Sequence, residues 1–407
     1  MNFLEMFQPS ASALDKTEFI LTVIIVLVAV KIAGDLSVRF GQPSVFGKLL
    51  VGLIVGPSLL GIIHETEMIR ELSELGVLLL MFIAGVETDL EEFLKSAKSA
   101  ALAAVLGVIV PLAAGYFLAV TYGYDWATAL FVGTIMVATS VSISVQTLRE
   151  LGKLQTREGF TILGAAVIDD ILGLVTLSVV LGLTLGQGGG LADVGVICLK
   201  VVIFFAIAIL VGMTVVPRLL KFASGLGVTV PVLTTGIIIA LAFGAGAELM
   251  GLAGIVGAYL AGLMISMTPY QHEMYEGVES VGYSFFIPFF FVSIGLAADV
   301  SGLTGGLLIF TVICTIVAVL TKIIGCGAGA MLSGLNLKSS LAIGAGMVAR
   351  GEVALIMCKI GLDSGLIGEA LFTAMVIVTI VTTVATPPLL RLLFKGEAGS
   401  REVIGGV

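Results

Sequence analysis

An all-α polytopic membrane protein of thirteen transmembrane helices is what this sequence of 407 residues predicts, and three observations predict it. Hydrophobic residues make up 58% of the chain and charged residues only 12%, where soluble domains carry roughly 25% charged. Apolar runs follow one another from 17 to 394, each near the ~18 residues a helix needs to cross a hydrocarbon core about 30 Å thick. Lys and Arg gather in alternate connections between those runs.

The first run, 17–39, follows Glu5, Asp15 and Lys16 rather than a basic stretch, and it passes into Gly34–Asp35 without a small-residue cleavage site. It therefore reads as a retained helix and not a signal peptide. Lys31 and Asp35 on it have the spacing of an i,i+4 pair. Apolar runs between polar breaks then give 45–63, 68–87, 98–122, 126–148 and 158–185, completing a first group of six. A linker helix, 192–220, stands alone. The second six are 228–247, 251–267, 281–298, 303–333, 340–361 and 366–394, the break at Glu248–Met250 being the tightest. One membrane transport domain, 17–394, thus comprises repeat one (17–185), the linker and repeat two (228–394), with a short cytoplasmic tail at 395–407.

Composition narrows the function classes. A net charge of −8 and the lack of a basic tract give no sign of nucleic acid. Cys198, Cys314, Cys326 and Cys358 all fall inside apolar runs without C-x-x-C spacing, which predicts buried core residues rather than disulfides or a metal site. His64 and His272 are isolated in predicted loops, so zinc is not expected, nor any cofactor.

Basic residues orient the chain. Arg39, Lys48, Lys95, Lys98, Arg149, Lys153, Arg157, Arg218, Lys221, Lys338, Arg391, Lys395 and Arg401 fall at one side, and only Lys16 and Arg70 at the other. Cytoplasmic loops carry the basic excess. The N-terminus is predicted outside and the C-terminus inside a cell membrane.

Four stretches recur at an offset of about 210 residues. Gly85-Val-Glu-Thr-Asp89 aligns with Gly295-Leu-Ala-Ala-Asp299, Met136-Val-Ala138 with Met347-Val-Ala349, and Ala165-Ala-Val-Ile168 with Ala374-Met-Val-Ile377, while Pro111 falls opposite Lys322. The offset spans an odd number of crossings, so the second unit is inverted relative to the first. Inverted repeats are a recurrent build of secondary transporters, with the site near the midplane.

Charge inside these runs singles out candidate residues, because an ionisable group at mid-bilayer costs roughly 2.5–3.5 kcal/mol or more. Asp169 and Asp170 lie mid-span in Gly164-Ala-Ala-Val-Ile-Asp-Asp-Ile-Leu-Gly173. Adjacent helix positions point about 100° apart, so the two carboxylates can flank a small cavity. A hard cation such as sodium prefers oxygen ligands, and protons compete for the same oxygens; that competition is the content of cation/proton exchange. Lys322, inside 303–333, is the expected partner, since a buried ammonium beside a carboxylate is less costly than either alone. Arg350 and Glu352 sit mid-span in 340–361, opposite Thr139 and Val141 of the other unit. Glycines in one unit and hydroxyls in the other suit two discontinuous, crossing helices, 126–148 and 340–361. Arg350 and Glu352 are expected to neutralise the helix ends at those breaks, and Thr139 and Ser140 to offer oxygen to the ion. Lys200 and Lys359 lie close enough to interfaces to snorkel.

These residues resemble the second cation–proton antiporter family, nearest to its NapA-type sodium/proton members. The resemblance lies in Glu74-Leu-Gly-Val-Leu-Leu-Leu-Met-Phe-Ile-Ala-Gly85, Ala138-Thr-Ser140, Val167-Ile-Asp-Asp170, Lys322 and Arg350-Gly-Glu352, and extends over nearly all spans. It implies a homodimer with spans one to three and eight to ten as scaffold. The remaining spans would form a mobile core moving like an elevator. It implies Asp170 as main sodium (or lithium) ligand, Asp169 paired with Lys322 when sodium is absent, and two protons per sodium. Potassium-efflux relatives carry a long nucleotide-binding domain after the membrane unit; the sequence ends shortly after its last span, which turns the expectation toward sodium. Potassium/proton or mixed exchange is the alternative. An intramembrane aspartyl protease would need its carboxylates on separate helices and a Gly-x-Gly-Asp stretch, neither of which occurs. A non-transporting membrane sensor is disfavoured by the intact Asp169, Asp170 and Lys322.

Overall fold

The computed structural model describes residues 11–185, 191–297 and 305–394; within them the side chains of 11–16, 18, 185, 191–193 and 352 lie outside the description. Asp299 and the 395–407 tail therefore also lie outside the described residues. Every regular element described is helical: α1 (Ala11–Arg39), α2 (Ser44–Val55), α3 (Glu67–Glu87), α4 (Leu90–Lys95), α5 (Ala97–Thr121), α6 (Trp126–Val137), α7 (Val141–Glu150), α8 (Arg157–Leu185) and α9 (Leu191–Thr214). Then follow α10 (Val216–Ser224), α11 (Pro231–Leu249), α12 (Gly254–Ser266), α13 (Gln271–Val281), α14 (Ile287–Leu296), α15 (Gly305–Leu332), α16 (Leu337–Gly346), α17 (Gly351–Asp363) and α18 (Glu369–Phe394). Among the described residues nine helical stretches are long and apolar enough to cross a membrane, with α2 and α12 as shorter apolar helices.

Helix is the expected outcome where no water can satisfy a peptide group, because each backbone bond then closes within its own segment. Outward-facing Val202, Ile207, Leu210 and Met213 on α9 are apolar, as a lipid-facing surface requires. Two helices start on side-chain caps at matching places in the chain. The Asp125 carboxylate accepts from Ala127 N (2.9 Å) and Thr128 N (3.2 Å) ahead of α6, and Asn336 Oδ1 accepts from Ser339 N (2.9 Å) ahead of α16.

Each of those helices stops halfway. Residues 138–140 separate α6 from α7, and 347–350 separate α16 from α17. The two interruptions touch: Ser140 N donates to Ala349 O at 2.7 Å. Around them α5 packs on α15, with α8, α16 and α18 alongside. A second group holds α2 against α14 and α3 against α12, and α1 and α11 flank it.

Two glycine contacts set the second group. A Cβ on Gly52 would be driven into the Val292 carbonyl and lie 2.8 Å from Gly295 Cα; a Cβ on Gly262 would be driven into the Phe82 carbonyl and lie 2.9 Å from Gly85 Cα. Each residue of the first contact lies 210 positions from its counterpart in the second. The same close approach is thus built twice, with the partners exchanged.

Four sequence expectations need correction. The span 281–298 begins ten residues earlier, because α13 runs on through a single π turn, Gly282–Phe286, into α14. His272 accordingly lies on a helix, exposed, 3.1 Å from Glu276 one turn on. Cys198 is exposed rather than buried, on an α9 whose all-round apolarity hides which face turns outward. Asp35 pairs with Arg39 at 2.8 Å instead of Lys31, whose ammonium reaches Tyr283 O at 3.4 Å.

Candidate ion-binding site

The aspartates sit on α8 where it passes the crossed interruptions. Asp169 is 1% exposed and Lys322, on α15, is fully buried; Lys322 Nζ lies 3.0 Å from Asp169 Oδ1. The Thr139 hydroxyl lies beside this carboxylate and donates to Val137 O at 3.5 Å. Asp170, one position on, is only half-buried. Of two neighbouring carboxylates, one is thus sealed against an ammonium and the other faces more open space. The chain brings Thr139, Asp169 and Lys322 together from α8, α15 and the first interruption.

Arg350 occupies the second interruption and is completely buried. Its Nη1 donates to the carbonyls of Met136 and Ala138 (3.1 Å to the latter), and its Nη2 to Ala318 O at 3.0 Å. Met136 and Ala138 bracket the C-terminal end of α6, whose last carbonyls have no helical partner and carry the negative end of its dipole. A guanidinium is suited to this, since its planar fork serves several carbonyls at once. Gly351 has φ +51°, and a Cβ there would lie 2.5 Å from Ser140 Cβ, so the crossing leaves no room for a side chain. The N-terminal ends of α7 and α17 therefore converge near Ser140, an arrangement that favours negative charge close by. Glu352 lies on the first turn of α17, its side chain outside the described residues.

Sequence reasoning missed several groups here. Thr383 Oγ1 accepts from Arg350 N (3.4 Å) and Gly351 N (3.3 Å), holding the start of α17. Ser144 Oγ donates to Gly346 O across the interruptions. Ser142 is fully buried, and among the described residues its hydroxyl has no hydrogen-bond partner. The signal for Thr383 was present: Thr379, Thr382, Thr383 and Thr386 recur at i, i+3, i+4 and i+7, one face of a helix.

A polar cavity of about 480 Å³ opens at the basic end, lined by Lys48, Glu87, Gln146, Arg149, Glu150, Tyr275, Glu279 and Tyr283 among others. Arg149 Nε lies 3.1 Å from Glu87 Oε2 and its Nη2 lies 2.6 Å from Glu279 Oε1. Glu150 meets Lys48 at 3.5 Å and accepts from Gln146 Nε2 at 2.8 Å. The Tyr283 hydroxyl donates to Gln146 Oε1. The two ion pairs of Arg149 thus tie the end of α7 to α3 and α13.

Known proteins resemble this arrangement throughout its length. The profile of the sodium/hydrogen exchanger, transmembrane, family matches residues 21–395. The Na(+)/H(+)-K(+) antiporter GerN of Bacillus cereus is 48% identical over 93% of this chain and 97% of its own. The Na(+)/H(+) antiporter of Enterococcus hirae is 39% identical over 93% and 98%. The sodium proton antiporter MjNhaP1 of Methanocaldococcus jannaschii, seen by electron microscopy, superposes with a TM-score of 0.70 at 16% identity, covering 95% of this chain and 99% of that one. That likeness concerns the fold alone.

Proposed function

The chain belongs to the sodium/hydrogen exchanger family, and from that premise we propose that it is a secondary active sodium/proton antiporter, a transporter and not an enzyme. The observation that carries this reading is the buried Asp169–Lys322 pair with half-buried Asp170 beside it. Asp170 is the main ligand for sodium, helped by oxygen from Thr139, Ser140 and Asp169. When sodium is absent, Asp169 holds Lys322 and Asp170 carries a proton. Sodium entering displaces positive charge: one proton leaves Asp170, and a second leaves Lys322 as its partner turns to the ion. Two protons against one sodium ion make each cycle move one net charge.

The finer architecture belongs to the same proposal. We read thirteen crossings, two inverted six-span repeats (17–185 and 228–394) and a linker helix (192–220) in a cell membrane, N-terminus outside and C-terminus inside. The paired glycine contacts and the matched caps Asp125 and Asn336 support the repeats. Helices α1–α3 and α11–α14 are the scaffold of a homodimer; α5–α8 and α15–α18 are the core that moves past it, which alternating access requires. The NapA-type placing rests on Asp169-Asp170 together with Lys322.

Proteoliposomes with a pH-sensitive dye test the reading, one cation at a time. Sodium (and lithium) should collapse an imposed proton gradient, and inertness of both would overturn the proposal. Potassium exchange is a second reading, favoured by the Na(+)/H(+)-K(+) name of the GerN relative. Collapse by potassium alone would select it.

A further inference from the structure

Between the candidate site and the polar cavity lies one exposed-to-buried stripe of α7. Ser142, Gln146, Arg149 and Glu150 share a face of this helix, at i, i+4, i+7 and i+8. The last three line the cavity. Ser142 is one turn deeper, two positions beyond Ser140 at the interruption. At about 1.5 Å per residue, the stripe covers much of the distance from midplane to the basic surface.

Gln146 and Tyr283, hydrogen-bonded to each other, both line the cavity, and Gln146 stands one turn along α7 from Ser142. Behind them the Ser142 hydroxyl is fully buried and bonds to nothing described. A buried hydroxyl left without a partner is destabilising, and its neighbours Ser144 and Thr147 on the same helix both find carbonyls. Among the described residues Ser142 thus keeps an unpartnered oxygen at the most deeply buried point of the stripe.

We infer that Ser142 is a further ion-contacting residue: its hydroxyl takes a monovalent cation, partly stripped of water, as the cation passes between the cavity and Asp170. Hard cations prefer oxygen ligands. A neutral oxygen holds them loosely enough to pass them on, the condition that any conducting site must meet. Parting of Gln146 from Tyr283 opens the way, and its re-forming leaves Ser142 sealed. The inference rests on the antiporter reading above and deepens it.

Side-specific kinetics test it, in liposomes where all copies face one way. In a Cys198→Ser background, the thiol of Gln155→Cys marks the cavity side by its reaction with a membrane-impermeant methanethiosulfonate. Ser142→Ala should raise the KM for sodium about tenfold when sodium is offered on that side, equivalent to about 1.4 kcal/mol. On the other side KM should stay within about twofold, and Ser142→Thr should restore the difference. The thiol of Ser142→Cys should react during turnover from the side that labels Gln155→Cys, more slowly with sodium than with choline. Equal KM changes on both sides, no change on either, or labelling from the opposite side only would overturn the inference while the wild type still exchanges sodium for protons. A wild type that exchanges no cation would instead sink the antiporter reading, and this inference with it.

Discussion

Lys322 Nζ and Asp169 Oδ1 stand 3.0 Å apart with neither side chain exposed, joining α15 to α8 across the core. A buried pair of this kind is weak evidence for stability as a whole, because desolvating both charges offsets much of their attraction. Breaking it from one side is another matter. Lys322→Ala leaves a carboxylate buried without its cation, at a cost of about 3–5 kcal/mol. The expected result is a clear fall in melting temperature for Lys322→Ala in detergent, and a smaller fall for Lys322→Ala combined with Asp169→Ala. A double variant no more stable than the single one would remove the coupling. In liposomes the same substitution should lower the charge moved per sodium.

Asp170 directly follows Asp169 and differs from it in its more open setting. Asp170→Asn keeps the shape of the side chain and removes its charge and its exchangeable proton. Sodium-driven proton movement should fall to background while the variant purifies as a folded protein with an unchanged elution profile. Full exchange by Asp170→Asn would transfer the ligand role elsewhere.

Much of this was legible because charge is conspicuous in an apolar chain. Asp169, Asp170, Lys322 and Arg350 stand out against runs of Ile, Leu and Val, and the glycine and hydroxyl clusters mark both interruptions. Hydroxyls were not legible in the same way. In a membrane helix most Ser and Thr bond a carbonyl of the preceding turn, as Thr379 and Thr386 do. The threonine face of α18 is visible in the sequence, but nothing there shows that Thr383 also holds Arg350 and Gly351, or that Ser142 bonds to none of the described residues. Asp35 illustrates another limit. Lys31 and Arg39 are each four positions away, and the structure selects Arg39, the orientation with the acid nearer the N-terminus, which is the more favourable one. The start of α13 was hidden by Gln271, His272, Glu273 and Glu276, which read as a loop. Met274 and Val278, buried one turn apart, reveal the apolar face that makes the segment helical.

The repeated glycine contact predicts matched damage. Gly52→Ala forces a methyl against the Val292 carbonyl of α14, and Gly262→Ala forces one against the Phe82 carbonyl of α3. The obstacle is backbone in both cases, so whole helices must separate. Overpacking of this kind costs about 1–3 kcal/mol. Thermal unfolding in detergent should show losses of similar size for the two variants, and a harmless substitution at either position would break the equivalence.

Arg149 carries the last prediction. Its guanidinium meets Glu87 and Glu279 and donates to the Tyr275 hydroxyl, while stacking 4.9 Å from the Tyr283 ring centroid. Arg149 and Glu87 are each less than one-fifth exposed, so water screens this pair less than a surface ion pair. If the core slides along the scaffold, these bonds between α7 and α3 or α13 must part in every cycle. Charged hydrogen bonds contribute about 1.5–3 kcal/mol each; Arg149→Gln removes two and leaves Glu87 and Glu279 facing each other. The arrangement described here should therefore be less populated in Arg149→Gln. Its measure is the thiol of Ser142→Cys, which should react several-fold faster from the cavity side in the Arg149→Gln background. Equal labelling with and without Arg149 would mean that the cluster holds the end of α7 without restraining the motion.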